Sequence, residues 1–238
     1  VFLIKKVIMQ ELKSEILDED MERIKSFYEK EGFIDAGAGY ETGELNESLR
    51  ILKINIHEGK RYYVEKIAVV GNDVVSANQV LDAMKEIKVK GVFSREKLTV
   101  DLSNIRSLYF DKGYIFANVR ESTSLNAENG KVEVRLDVEE GSLAYINRIK
   151  IQGNERTRDI VIRRELRLFP GDQFDGSKLR RSKERLRNLG YFEDVAYDIE
   201  DTDIPDKKDL VVQVKEAKTG SFSFGGGYST IDQLVGFV

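Results

Sequence analysis

Tyr63-Val64-Glu65-Lys66-Ile67-Ala68-Val69-Val70-Gly71-Asn72 returns 82 residues later as Tyr145-Ile146-Asn147-Arg148-Ile149-Lys150-Ile151-Gln152-Gly153-Asn154. Each stretch is a short β-rich run closed by a Gly-Asn turn pair. Two further series recur around it. One is Gly32-Phe33-Ile34, Gly113-Tyr114-Ile115 and Gly190-Tyr191-Phe192; the other is Glu58-Gly59 and Glu140-Gly141, again 82 apart. A fixed period marks an array of like modules. Such arrays present binding surfaces more often than catalytic centres.

The middle copy is complete. Ser76 is placed to cap a helix, with Val80, Met84 and Ile87 on one face. Ser94 caps a second helix, in which Leu98, Leu102, Ile105 and Tyr109 keep helical spacing up to Gly113. A strand-like stretch, Tyr114 to Glu121, follows. Val132, Val134, Leu136 and Val138 then alternate with Glu133, Arg135, Asp137 and Glu139, one face buried and one wet. The order is β-α-α-β-β.

In the first copy Leu17, Met21, Ile24 and Tyr28 repeat the stripe of the second helix, and Leu52, Ile54 and Ile56 repeat the last strand. Its opening strand is missing, and Val1 to Glu15 reads as the remnant of its first helix. The third copy opens with Ile146, Ile149 and Ile151. A helix from about Thr157 carries Ile162, Leu166 and Phe169 on one face and ends at Pro170-Gly171. Leu179, Leu186 and Leu189 mark the second helix. Val195, Tyr197 and Ile199 alternate next, and Leu210, Val212 and Val214 close the copy. The expected class is α+β: tandem modules, each a three-stranded sheet with two helices on one face, over residues 1–60 (partial), 61–141 and 142–219, with a different block at 220–238.

Composition narrows the function. The 238 residues carry 38 Lys/Arg and 42 Asp/Glu, a net charge of −4 that argues against a dedicated nucleic-acid binder. There is no cysteine, which excludes disulfides and thiolate metal sites. His57 is the single histidine, so neither a metal site built on several histidines nor a hydrolase triad is expected, and no cofactor is. Asp172-Gln173-Phe174-Asp175-Gly176 and Asp201-Thr202-Asp203 only faintly suggest calcium, because neither has the spacing of an EF-hand loop. No apolar run is long enough for a membrane helix. Val1-Phe2-Leu3-Ile4-Lys5-Lys6 reads as a cut into a longer chain, not as a signal peptide.

From Gly220 the pattern changes. Phe222, Phe224 and Tyr228 fall on one side of a strand and Ser221, Ser223 and Ser229 on the other, the dyad pattern of a membrane β-barrel strand.

The modules, their Gly-Asn and Gly-Tyr/Phe turns and the closing Glu-Gly resemble POTRA domains. With Arg163-Arg164-Glu165, Glu184 to Phe192 and Gly220 to Tyr228, the whole chain resembles the BamA family of outer-membrane protein insertases, over the third to fifth modules and the first barrel strand. The resemblance implies a periplasmic scaffold, not an enzyme, at the Gram-negative outer membrane. It implies unfolded outer-membrane proteins and accessory BamD-like lipoproteins as partners, the outer membrane itself through the barrel, and no nucleotide. A TamA-like protein or a two-partner secretion transporter is the alternative with the same modules. An enzyme on α+β repeats and a soluble adhesin are the alternatives from other classes.

An unpaired sheet edge can take up an extended client strand, and in this family the second strand is the usual free edge. Those strands are expected at about Ile34–Tyr40, Ile115–Ser122 and Val195–Ile199, with Ile34, Ala36, Tyr40, Ile115, Ala117, Val119, Val195 and Tyr197 as edge residues. Arg163, by resemblance, matches an arginine that contacts the lipoprotein, with Arg164 and Glu165 beside it. From Ile146 to Gly190 there are 13 Lys/Arg against 6 Asp/Glu, and from Glu193 to Asp209 there are 8 acids against 2 lysines. The basic half suits an acidic partner or lipid headgroups.

Overall fold

The computed structural model describes residues 2–8, 14–46, 49–217, 225–227 and 235–237. The elements run β1 (Phe2–Ile8), α1 (Ser14–Lys30), β2 (Gly37–Asn46), β3 (Leu49–His57), β4 (Tyr63–Val70), α2 (Ala77–Ala83), α3 (Arg95–Asp111), β5 (Asn118–Asn126), β6 (Lys131–Glu139), β7 (Tyr145–Gln152), α4 (Asp159–Arg163), α5 (Gly176–Asn188), β8 (Phe192–Asp201), β9 (Lys207–Glu216), β10 (Gly225–Gly227) and β11 (Val235–Phe237). The last two pair antiparallel. Phe222, Phe224, Tyr228 and the serines of the dyad pattern lie outside the described residues.

Three sheets share one strand order: β1-β3-β2, β4-β6-β5 and β7-β9-β8. The last strand of each copy is central and the second lies at an edge. β4 and β7 run parallel to their central strands, and β5 and β8 antiparallel. The first copy differs. Phe2–Ile8, expected to be a helix remnant, is a strand, and it pairs antiparallel with β3. One described helix separates β1 from β2, so the two edge strands run the same way. Two helices separate β4 from β5, and the second brings the chain back reversed.

The chain divides into two compact units, Val1–Tyr109 with Phe116–Gly141, and Phe110–Ile115 with Ser142–Val238. In the second copy the predicted stripes are buried, whereas Ile24, Tyr28 and Ile54 of the first are half-buried. Leu98, Leu102, Ile105 and Tyr109 of α3 and Val132, Val134, Leu136 and Val138 of β6 are all at most 6% exposed. Gly71 has a positive φ, and a Cβ there would collide with the Val138 carbonyl oxygen, so the turn closing β4 requires glycine. Ser76 caps α2 in a reciprocal capping box with Gln79. The helix is shorter than the apolar spacing suggests, because Met84 is already extended. Met84 and Ile87 stay buried nonetheless. The buried Asp101 carboxylate accepts the backbone N–H groups of Lys85, Glu86 and Ile87 at 2.7–3.0 Å, holding that segment in place of further helical turns.

Within this unit the Tyr62 N–H donates to the Gly32 carbonyl (2.8 Å), and the Phe93 N–H to the Tyr62 carbonyl (3.0 Å). The second unit repeats that joint on its own residues: Ala144 N–H to the Gly113 carbonyl (3.0 Å), and Phe174 N–H to the Ala144 carbonyl (2.9 Å). Its core gathers Ile146, Ile149, Ile162, Leu168, Phe174, Leu186, Val195 and Val212. α4 is one short stretch. Beyond Arg164 helical spacing ceases to apply, so Leu168 turns in and Phe169, expected on the apolar face, is 59% exposed. The Ser182 hydroxyl takes the Arg167 N–H (2.8 Å), at the place that Asp101 fills in the first unit.

Candidate functional site

The edge strands carry the candidate site. β2, β5 and β8 each have one neighbour, so alternate N–H and C=O groups of each point away from the sheet. Tyr40, Val119, Val195 and Tyr197 lie in these strands. Ile34, Ala36, Ile115 and Ala117 do not: they occupy the turn that follows the helix-ending glycine, and the strands begin at Gly37 and Asn118. The apolar spacing misled because a tight turn alternates buried and exposed residues much as a strand does; Ala36 is buried although it precedes β2.

Val119 and Val195 point into the core, so the edges they mark are offered through backbone and not through their side chains. The Tyr40 hydroxyl donates to Asp18 of α1 (3.2 Å), and loss of solvent, with that carboxylate, raises its pKa. The Tyr197 hydroxyl is buried without a hydrogen-bond partner among the described residues, and burial pushes its pKa up strongly. Two edges carry arginine guards. Arg106 of α3 donates to the Val119 carbonyl, and Arg163 of α4 to the Ile149 carbonyl on β7, both at 3.1 Å.

The basic half is less free than its composition suggests. Arg163 also pairs with Asp159 (2.7 Å). Glu165 is held between Arg164 (3.3 Å) and Arg185 (2.7 Å), its side chain 14% exposed. Arg164 is the most exposed of the three predicted contact residues. Arg148 and Lys150 converge with Asn147 on the buried Asp209, whose carboxyl is held below its usual range chiefly by the Lys150 ammonium. Arg156 and Arg158 make no ion pair among the described residues. Nor does any group of three or more His, Asp or Glu among those residues suit a metal ion.

Sequence reasoning singled out Glu58-Gly59 and Glu140-Gly141 as turns and missed what the carboxylates do. Glu140 accepts the N–H groups of Val74 and Val75 and the Tyr109 hydroxyl (2.9 Å). Glu216 accepts the N–H groups of Arg156 and Thr157. Each carboxylate ties the end of a central strand to the loop after the opening strand. A repeated acid at the same place in each copy was the available signal.

The family model for POTRA, the surface antigen variable number repeat, matches residues 62–141 and 144–217. The chain belongs to the POTRA family. Its POTRA modules are similar to those of the outer membrane protein assembly factor BamA of Nitratidesulfovibrio vulgaris, 34% identical over 226 residues, 94% of this chain and 29% of that protein. BamA of Neisseria meningitidis serogroup B is 35% identical over 216 residues, 88% of this chain and 27% of that protein. The chain thus spans less than a third of these relatives. The crystal structure of Haemophilus influenzae BamA POTRA3-5 superposes with a TM-score of 0.67 at 21% identity, covering 87% of this chain and 83% of that one. That likeness extends the POTRA fold to the first copy, which the family model does not match.

Proposed function

We propose that this POTRA array is the periplasmic scaffold and client-binding segment of an outer-membrane protein insertase. It receives unfolded β-barrel proteins by strand addition and docks accessory lipoproteins of the BamD type beside a barrel that begins after Gly220. The observation that carries the reading is the shared strand order, which leaves β2, β5 and β8 with one free side each. Strand addition uses main-chain hydrogen bonds and so asks little of the client's sequence. That suits a protein that handles many clients and needs no catalytic centre. The relatives are named outer membrane protein assembly factors, and the outer-membrane setting of the proposal is taken over with the name. Lipoprotein docking is assigned to Arg164, with Arg163 and Glu165 fixing the segment that presents it.

The test uses β5. Adjacent residues of a strand alternate the side to which they donate, so of Ser122→Pro and Thr123→Pro one removes an outward donor and the other a donor to β6. Both positions are clear of the core. In cells carrying photocrosslinking probes along β5, the outward-donor variant should lose adducts to unfolded outer-membrane proteins while keeping its thermal stability. Undiminished adducts in both variants would sink the strand-addition reading. Probes at Arg164 should capture a lipoprotein independently of that result.

A further inference from the structure

The third module lacks one turn of its second helix, and a cavity lies beside the carboxylate that a tyrosine meets in the other two. α1 and α3 have 17 residues each and α5 has 13, so four are absent, about one helical turn. The repeat shows which ones. Leu17, Leu98 and Leu179 share one position of the stripe, as do Ile24, Ile105 and Leu186; where Tyr28 and Tyr109 follow, α5 has already ended and Gly190 stands there. The lost tyrosine has a defined task. The Tyr28 hydroxyl donates to Glu58 (3.0 Å) and the Tyr109 hydroxyl to Glu140 (2.9 Å), each at the carboxylate that closes its sheet. Glu216 holds the same place in the third module and keeps its backbone donors, Arg156 and Thr157. Among the described residues no tyrosine hydroxyl reaches it; the Thr157 side chain, at the position of Val75 in the second module, interacts with it instead.

Beside Glu216 lies a cavity of about 380 Å³ lined by Arg156, Thr157, Arg158, Val161, Tyr191 and Ala217. That volume lies within the range of small-molecule sites. Val161, Ala217 and the Tyr191 ring give it an apolar wall, and the Glu216 carboxylate gives it an acceptor. Of the lining residues that differ from the second module, two add charge. Val74 and Ser76 stand there where the third module has Arg156 and Arg158, neither of which makes an ion pair among the described residues.

We infer that this cavity is a docking site for a tyrosine side chain from a partner polypeptide, its phenol donating to Glu216 as Tyr109 donates to Glu140, and acidic residues flanking that tyrosine meeting Arg156 and Arg158. The site is separate from Arg163–Glu165 and from the sheet edges, so its failure leaves the strand-addition reading standing.

The test is a backbone-amide NMR titration of the chain with N-acetyl-tyrosinamide and, in parallel, N-acetyl-phenylalaninamide and inorganic phosphate. The tyrosine probe should give saturable shifts at the Arg156, Thr157 and Ala217 amides. The phenylalanine probe should bind about fivefold more weakly, the loss of one hydrogen bond. The Val74, Val75 and Gly141 amides are the internal control, because Tyr109 fills their site. Glu216→Gln should weaken the tyrosine probe about fivefold, and Val161→Trp, which fills the cavity from its apolar wall, should abolish saturation. If either variant fails to fold, the comparison of the three probes on the unaltered chain still decides. Equal binding of the two aromatic probes, equal shifts at the control amides, no saturable shift at the solubility limit, or a response to phosphate alone would each overturn the assignment; the last would make the site an anion site.

Discussion

Asp101 shows how much one buried carboxylate can organise. It is fully buried, and it accepts three consecutive backbone N–H groups where α2 has ended and β-like chain begins. Removing it leaves three donors without their acceptor, and that of Ile87 is buried from water. Asp101→Ala should therefore cost about 3 kcal/mol, within the range for a charged buried acceptor, read as a shifted urea midpoint at unchanged m. A shift equal to that of an exposed control such as Asp82→Ala would show that the segment is held by its apolar contacts alone. The residue could not be found by pattern. Asp101 sits between apolar positions of the α3 stripe and reads from sequence as an ordinary polar neighbour.

At the scale of elements, apolar spacing located α1, α3, α5 and the central strands, because long stripes with one buried face repeat the period of their own geometry. It overextended α2 and α4, where burial continues after the helix stops: Met84, Ile87 and Leu168 are buried by loops pinned to Asp101 and Ser182. It also placed the starts of β2 and β5 too early, inside the glycine turns. The paired acids and tyrosines were visible as recurring letters but not as contacts, since they join residues about 30 positions apart in sequence. Capping separates the short helices further. Ser76 and Asp175 cap α2 and α5 through their side chains, whereas Arg158, at the start of α4, makes no such bond. Arg158→Ser should stabilise the second unit by about 0.5–1 kcal/mol, measured by chemical denaturation. A neutral or destabilising result would show that the arginine itself anchors α4.

For the molecule as a whole, stability should fall at both ends of the pH scale, for opposite reasons. Asp209, Glu216, Asp137 and Glu41 are held below their usual carboxylate range, respectively by Lys150, by the Thr157 backbone N–H, by Arg135 and by Lys53. Groups depressed in the folded state stabilise it above their unfolded pKa of about 4 and lose that contribution as pH falls through the lower folded values. Tyr28, Tyr62 and Tyr109 are raised, the first two chiefly by donating to Glu58 and Asp35 and the third chiefly by burial. Their contribution is complete below about pH 10 and is lost as pH rises through the raised values. Melting temperature against pH should thus be flat between about pH 5 and 9 and fall on either side. Asp209→Asn should lower the plateau and shallow the acid limb, while Tyr109→Phe should shallow the alkaline limb. Limbs unchanged in both variants would place the titrating groups elsewhere.

The strand order also sets a timetable. In each sheet the strand that joins the other two is the last to be made, so β1 and β2, β4 and β5, and β7 and β8 have no neighbour to bond until β3, β6 and β9 arrive. A nascent or translocating chain gains nothing from a module until its final strand has emerged, and then gains the whole sheet at once. A polypeptide halted before Lys131 has made two of the second sheet's three strands and none of its ladder. Each module therefore forms as a single event gated by about ten residues, and a cut inside that strand silences everything since the previous Glu-Gly turn.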